Sequence, residues 1–205
     1  MSTFKKALKN TLSHEGIYDN NPHDTGGQTV YGIARKSNPN WEGWKLVDDI
    51  LGNDTRRTAN NTKKIEDASE ILMLYVERLY KQRYWNVNNL DSVAATGSYK
   101  LGEKLFDVGV NMGPGQAAKF LQEALNCLNA SEKPLIVDGG LGALTLAALA
   151  KYGGTSSRRS RTVSEVDNVI IKTINGLQFE KYHKIIKNNP VQKAFFFGWI
   201  NRRLS

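Results

Sequence analysis

The sequence has a single cysteine, Cys127, so no internal disulfide can form and the redox compartment stays open. Cys127 lies among Leu121, Leu125 and Leu128, which predicts a buried, inert thiol. No apolar run approaches the roughly 20 residues that span a bilayer, so no stable membrane insertion is expected. The N-terminus, MSTFKKALKNTLSHEG, carries lysines but no apolar h-region and no small-residue cleavage site. It therefore reads as a chain made in the cytoplasm without a secretory signal, and a target outside the cytoplasm implies assisted release. Strand-like runs are also missing, apart from a short hairpin around residues 28–33, and no internal repeat is visible. Acidic residues are in short supply: 20 Asp and Glu face 28 Lys and Arg, for a net charge of +8. That balance favours an anionic partner such as nucleic acid, a membrane surface or an acidic wall polymer. No recognised nucleic-acid motif accompanies the charge, so nucleic acid is not expected as the partner.

What is present is an ordinary globular composition, 40% hydrophobic over 205 residues, enough for one large domain or two small ones. Helical periodicity dominates and the class is mainly α. A first helix is predicted over residues 3–15, with Phe4, Leu8, Leu12 and Glu15 on one face and Gly16 as its stop. Residues 16–62 read as irregular with short helical turns. Further helices are predicted over 63–84, 92–112, 115–129, 142–152, 163–187 and 190–204. The glycines of the 92–112 helix imply a close backbone neighbour, and GGTSSRRSR at 153–161 reads as a basic connection.

The stretch that follows Glu15 is rich in Asn, Asp, Gly and Thr. Asp24 comes nine residues after Glu15, too far for one helix face but enough for a hairpin to fold back over the acid. Glycines 26, 27 and 32 supply the turns. Glycoside hydrolysis needs such a layout: one carboxylic acid that gives a proton to the leaving oxygen, and a second polar group that positions water or balances an oxocarbenium ion. An apolar setting favours the protonated form of an acid, and Glu15, at the end of an apolar stripe, suits the donor role. Asp24 suits the ionised role, with the Thr29 hydroxyl nearby. Spacing alone leaves the plain reading open, in which Glu15 is a surface residue and Asp24 and Thr29 form turns. His14 and His23 match no familiar metal-ligand spacing, and no metal or cofactor is expected.

These residues resemble a known family. His14-Glu15-Gly16, then Tyr18, Asn20, Pro22, Asp24, Gly26, Gly27, Thr29, Tyr31, Gly32 and Ile33, is similar to the signature of glycoside hydrolase family 108, a group of lysozyme-like N-acetylmuramidases. A second glycine common after the HEG triplet is Ile17 here. FDVGVNMGPGQAAKFLQEALN, VDGGLGALTLAAL and NPVQKAFFFGWINRR are similar to the peptidoglycan-binding region that accompanies this catalytic segment. The resemblance implies a peptidoglycan hydrolase with Glu15 as general acid. A looser likeness to phage lysozymes supports secondary roles for Asp24 and Thr29. The family resemblance also implies a lysozyme-like helical lobe over residues 1–92, packed against a second helical lobe over 93–205 that shares its core. Tyr18, Tyr31 and Trp41 are candidates for sugar contacts, with core filling as the common alternative. Asn111, polar between Val110 and Met112, is a further substrate candidate or a helix-capping residue. The implied partner is peptidoglycan, reached through a holin or another assisted route. The competing readings are a non-catalytic wall-binding protein and a secretion-associated accessory protein.

Overall fold

A computed structural model describes residues 2–13, 15–21, 27–96, 98–128, 133–153 and 162–204. The described chain runs α1 (Thr3–Leu12), β1 (Tyr18–Asp19), β2 (Thr29–Val30), β3 (Ile33–Ala34), α2 (Gly43–Leu51), α3 (Ala59–Asp67), α4 (Ser69–Tyr80), α5 (Leu90–Thr96), α6 (Tyr99–Met112), α7 (Pro114–Leu128), α8 (Ala143–Gly153), α9 (Val163–Asn188) and α10 (Lys193–Arg203). A π-helical turn over Lys81–Trp85 and a 3-10 turn over Asn86–Asn88 join α4 to α5. The fold is mainly α, with one small antiparallel sheet ordered β1-β2-β3. Among the described residues, no helix is long and apolar enough to cross a membrane.

The chain forms two compact units, one of residues 8–82 and one of residues 1–7 with 83–205. In the 8–82 unit the buried faces are Val47 and Leu51 of α2, Ile65 of α3, and Leu72, Val76 and Tyr80 of α4. The last three repeat every four residues, which is one helix face. Thr58 starts α3 by accepting a hydrogen bond from the Asn61 amide on its side chain. The single helix expected over 63–84 is interrupted at Ala68 (φ −89°, ψ 7°). Asp67 and Ser69 flank the break, and such short polar side chains compete with the helix for backbone hydrogen bonds.

In the other unit Phe4, Trp85 and Phe106 form an edge-on triangle with centroids 5.5, 5.9 and 5.7 Å apart. The expected 92–112 helix is divided by Ser98, whose extended backbone (φ −130°, ψ 165°) precedes α6. The close approach predicted from its glycines is present at Gly102, where an added methyl would lie 3.3 Å from the Ala94 methyl of α5. On α9, Val166, Ile170, Ile174, Gln178 and Tyr182 recur every four residues and are all buried. A capping box starts the helix, formed by Thr162 and Glu165. Cys127 corrects the sequence reading: it is exposed. It lies two positions beyond Leu125 and six beyond Leu121, about 200° and 240° around the helix from that buried stripe.

A buried polar cluster closes the C-terminus in this unit. Lys104 donates to the Arg203 carbonyl, and the Arg203 guanidinium pairs with Asp107. Burial outweighs the attraction of Asp107 and brings the Lys104 ammonium down from 10.5 to about 8. Burial likewise pushes the Tyr182 phenol up from 10.0 to about 12, against its bond from Gln178. Between pH 8 and 10.5 the unfolded chain holds the Lys104 proton that the fold has released, so stability rises with pH there, by at most about 1.4 kcal/mol per unit. Tyr182 acts in the opposite sense: its contribution is complete below pH 10 and is lost as pH climbs to 12. Lys104→Met should therefore abolish the rise between pH 8 and 10.5, and Tyr182→Phe the fall above 10, in urea midpoints measured across this range. A Lys104→Met profile parallel to wild type contradicts a destabilising buried ammonium.

Candidate active site

The site grows from a two-residue turn in the 8–82 unit. Val30 and Ile33 pair across β2 and β3, leaving Tyr31 and Gly32 as the loop. Both have positive φ, 48° and 78°, as a type I′ hairpin loop requires. Glycine adopts that conformation at no steric cost; tyrosine does so only when its surroundings hold it. Here the Tyr31 carbonyl accepts from the Tyr80 hydroxyl at 2.9 Å, and the Tyr31 amide donates to the Ile17 carbonyl at 2.9 Å. Burial, with the Glu66 carboxylate as a second cause, raises the Tyr31 phenol above its ordinary value.

Glu15 lies against this turn. A methyl placed on Gly32 would sit 2.7 Å from the Tyr80 hydroxyl, 3.4 Å from Glu15 Cγ and 3.6 Å from Glu15 Cδ. The carboxyl group is thus close to the bare face of Gly32, and the side chain is half-buried. The backbone around it differs from the sequence expectation. Helix α1 ends at Leu12, and Glu15 sits in the bend beyond it, its amide bonded to the Leu12 carbonyl at 3.1 Å. The buried face of α1 is Phe4, Ala7, Leu8 and Thr11, so the stripe does not run through Leu12 to Glu15. Spacing of three and four fits either set; the smaller Ala7 and Thr11 take the inward positions.

The strands behind the turn are tied to the segment before α3. Tyr18 donates to the Thr55 carbonyl at 2.5 Å, Asn20 donates to the same oxygen at 2.6 Å, and Gln28 donates to the Tyr18 hydroxyl at 3.3 Å. Asp19 pairs with Thr29 across β1 and β2, on the face opposite Tyr18 and Val30. The Thr29 hydroxyl donates to the Gly27 carbonyl at 3.1 Å. Arg57 Nε approaches Asp19 at 3.7 Å. Beside them, Asn20, Asn21, Arg56 and Arg57 line an open cavity of about 520 Å³, with the Arg56 guanidinium held by the Asp54 carboxylate at 2.8 and 3.0 Å.

The structure therefore brings Glu15 to the Tyr31–Gly32 turn and places Thr29 two residues before it on the same hairpin. Asp24 lies outside the described residues, as do His14 and His23. Tyr18, 4% exposed, and Trp41, 9% exposed, are core residues: Trp41 packs edge-on to Trp44 at 5.0 Å and donates to the Tyr75 carbonyl. Asn111 belongs to the other compact unit, where it accepts from the Tyr182 hydroxyl at 2.7 Å. Tyr80 is the residue that sequence reasoning passed over. Its spacing of eight and four residues from the buried Leu72 and Val76 is the signal that marks it as inward. Among the described residues, no group of three His, Cys, Asp or Glu side chains converges to hold a metal ion.

No curated protein matches the chain. Among solved structures, that of Brucella abortus SagA aligns over 98% of this chain and 88% of its own, at 24% identity and a TM-score of 0.58. That likeness establishes the fold. The family model described as Predicted Peptidoglycan domain matches residues 116–204. The model of Glycosyl hydrolase 108 matches residues 8–113, which include the hairpin, Glu15 and Tyr80. The chain belongs to the glycosyl hydrolase 108 family.

Proposed function

We propose that the protein is an N-acetylmuramidase that cleaves the β-1,4 bond between N-acetylmuramic acid and N-acetylglucosamine in peptidoglycan, with Glu15 as general acid. Membership of the glycosyl hydrolase 108 family and the peptidoglycan domain match support a lysozyme-like action on peptidoglycan. The observation that carries the finer reading is the Glu15 carboxyl group held against Gly32 at the tip of a clamped hairpin. There the acid gives its proton to the glycosidic oxygen as the bond to the anomeric carbon breaks. Asp24, nine residues on in sequence, takes the charge-balancing or water-positioning role together with Thr29, whose hydroxyl donates to the Gly27 carbonyl. Of the aromatic candidates from the sequence, Tyr31, half-buried at the tip, is the one we assign to a sugar ring. Tyr80 is a positioning residue, acting through the Tyr31 carbonyl. At the cavity beside β1, where Arg56 is already held by Asp54, Arg57 is the cation we assign to the carboxylates that peptidoglycan carries.

Glu15→Gln keeps shape and removes the transferable proton. Its activity on cell walls should fall by three orders of magnitude or more, about 4 kcal/mol of transition-state stabilisation. Mass spectrometry of the digest should show muramic acid at the reducing end for the wild type. A variant that clears walls at close to the wild-type rate would remove Glu15 from catalysis and favour a wall-binding protein.

Asp24→Asn should lower kcat by about 100-fold while binding to walls is kept. Activity within a few-fold of wild type would make Asp24 a turn former.

Gly32→Ala meets two obstacles, φ +78° and the Tyr80 hydroxyl. Gly52 also has positive φ (+56°), but a methyl there meets nothing within 4 Å. Both substitutions should cost stability, by about 1 kcal/mol or more. Only Gly32→Ala should also lower kcat, by about tenfold or more, because it displaces the acid. Equal kcat in the two variants would disconnect the turn from catalysis.

A further inference from the structure

Residues 179–204 carry six Lys and Arg against one Glu. Large apolar side chains stand in solvent in the same stretch: Phe179 is 46% exposed and Phe195 56%. Exposed apolar side chains gathered in one region of a folded domain mark an interaction surface.

The rings are ordered. On α9, Phe179 and His183 are one turn apart with parallel planes, 6° between them and 6.5 Å between centroids. Lys187 follows a turn later on the same face. On α10, Phe195 and Trp199 repeat the pattern at 22° and 6.3 Å, and Arg202 follows on their face. Phe179 and Phe196, 6.3 Å apart, join the two helices. Behind the α10 row, Trp199 stacks on Tyr182 at 4.9 Å and 20°. Tyr182 is 2% exposed, and its hydroxyl bonds Asn111 and Gln178. Tyr182, Trp199 and Phe195 are therefore a run of near-parallel rings, rooted in the core and ending in a half-exposed phenyl.

A lipid-inserting helix separates apolar side chains and cations onto opposite faces. Here Lys187 and Arg202 lie in line with the rings, and Phe197 projects from the other side of α10 from Phe195. Exposed rings in rows that end in cations fit a partner that is apolar on one face and anionic at intervals. We propose that these two ring-ring-cation rows are the wall-gripping surface and take the glycan strand of peptidoglycan. Pyranose faces and acetamido methyls lie on the rings, and stem-peptide carboxylates meet Lys187 and Arg202. This rests on the reading of peptidoglycan as substrate. Rings already fixed by stacking lose little freedom when the sugar arrives, which favours affinity.

The test uses the full chain carrying Phe179→Ser with Phe195→Ser, both at half-exposed positions, and circular dichroism to verify the fold. In a Glu15→Gln background, to spare the wall, the ring variant should sediment with purified sacculi about tenfold more weakly than its parent. Lys187→Gln with Arg202→Gln should also bind more weakly, and added salt should erase that difference. With Glu15 intact, hydrolysis of short soluble glycan fragments by the ring variant should change by less than about threefold. Equal sedimentation of ring variant and parent overturns the proposal. So does lost binding to phosphatidylglycerol vesicles with sacculus binding kept, which marks a membrane surface, or conversion of a dimer to a monomer, which marks a second copy. A wild type that binds sacculi but releases no reducing sugar ends the muramidase reading and leaves the binding surface standing.

Discussion

Two consecutive residues with positive φ, Tyr31 and Gly32, organise the candidate active site. The strands they connect are two residues long, and a hairpin of that size has little stability of its own. The Tyr80 hydroxyl and the Ile17 carbonyl hold one end of the turn, the Gln28 carbonyl accepts from the Arg35 amide at the other, and Val30 and Ile33 are buried beneath. With the turn held, the bare side of Gly32 leaves room for the Glu15 side chain and the Tyr80 hydroxyl together. The acid is thus located by a backbone conformation and a phenol, not by the helix that precedes it.

Polar bonds carry much of the remaining rigidity in this unit. The Thr55 carbonyl receives both Tyr18 and Asn20, and Asn61, 1% exposed, donates to the carbonyls of Asp54 and Arg56. The segment between α2 and α3 is therefore bound to β1 on one side and capped by α3 on the other. Such bonds are directional, so they fix the hairpin more sharply than apolar contact alone.

The C-terminal helices use the opposite strategy. Tyr182 is buried and satisfied by Asn111 and Gln178, and from it the aromatic order continues outward through Trp199 to Phe195. Much of the net positive charge lies on the same stretch. Long-range attraction brings such a surface to an anionic polymer, and the rings supply the short-range contact that salt does not screen.

Most of the helices were legible in the sequence because an apolar stripe with period 3.6 needs only local information. Those past residue 113 match their predicted spans closely; Pro190, predicted as a helix start, opens a 3-10 turn before α10. The HEG triplet and the spacing of Asp24, Thr29 and Gly32 marked the loop as the place to look. The sequence left the ends and phases of elements undecided, since Ala68 and Ser98 interrupt stripes that continue across them. It also left undecided which aromatics face inward: Tyr18 and Trp41 read as sugar contacts, yet their polar atoms bond the Thr55 and Tyr75 carbonyls in the core. Only tertiary structure decided that Glu15 leaves the helix, that Tyr80 reaches a carbonyl 49 positions away, and that both meet at Gly32. A stripe is written in neighbours along the chain, whereas a site is made by residues distant in sequence, and which of them meet depends on how the elements pack.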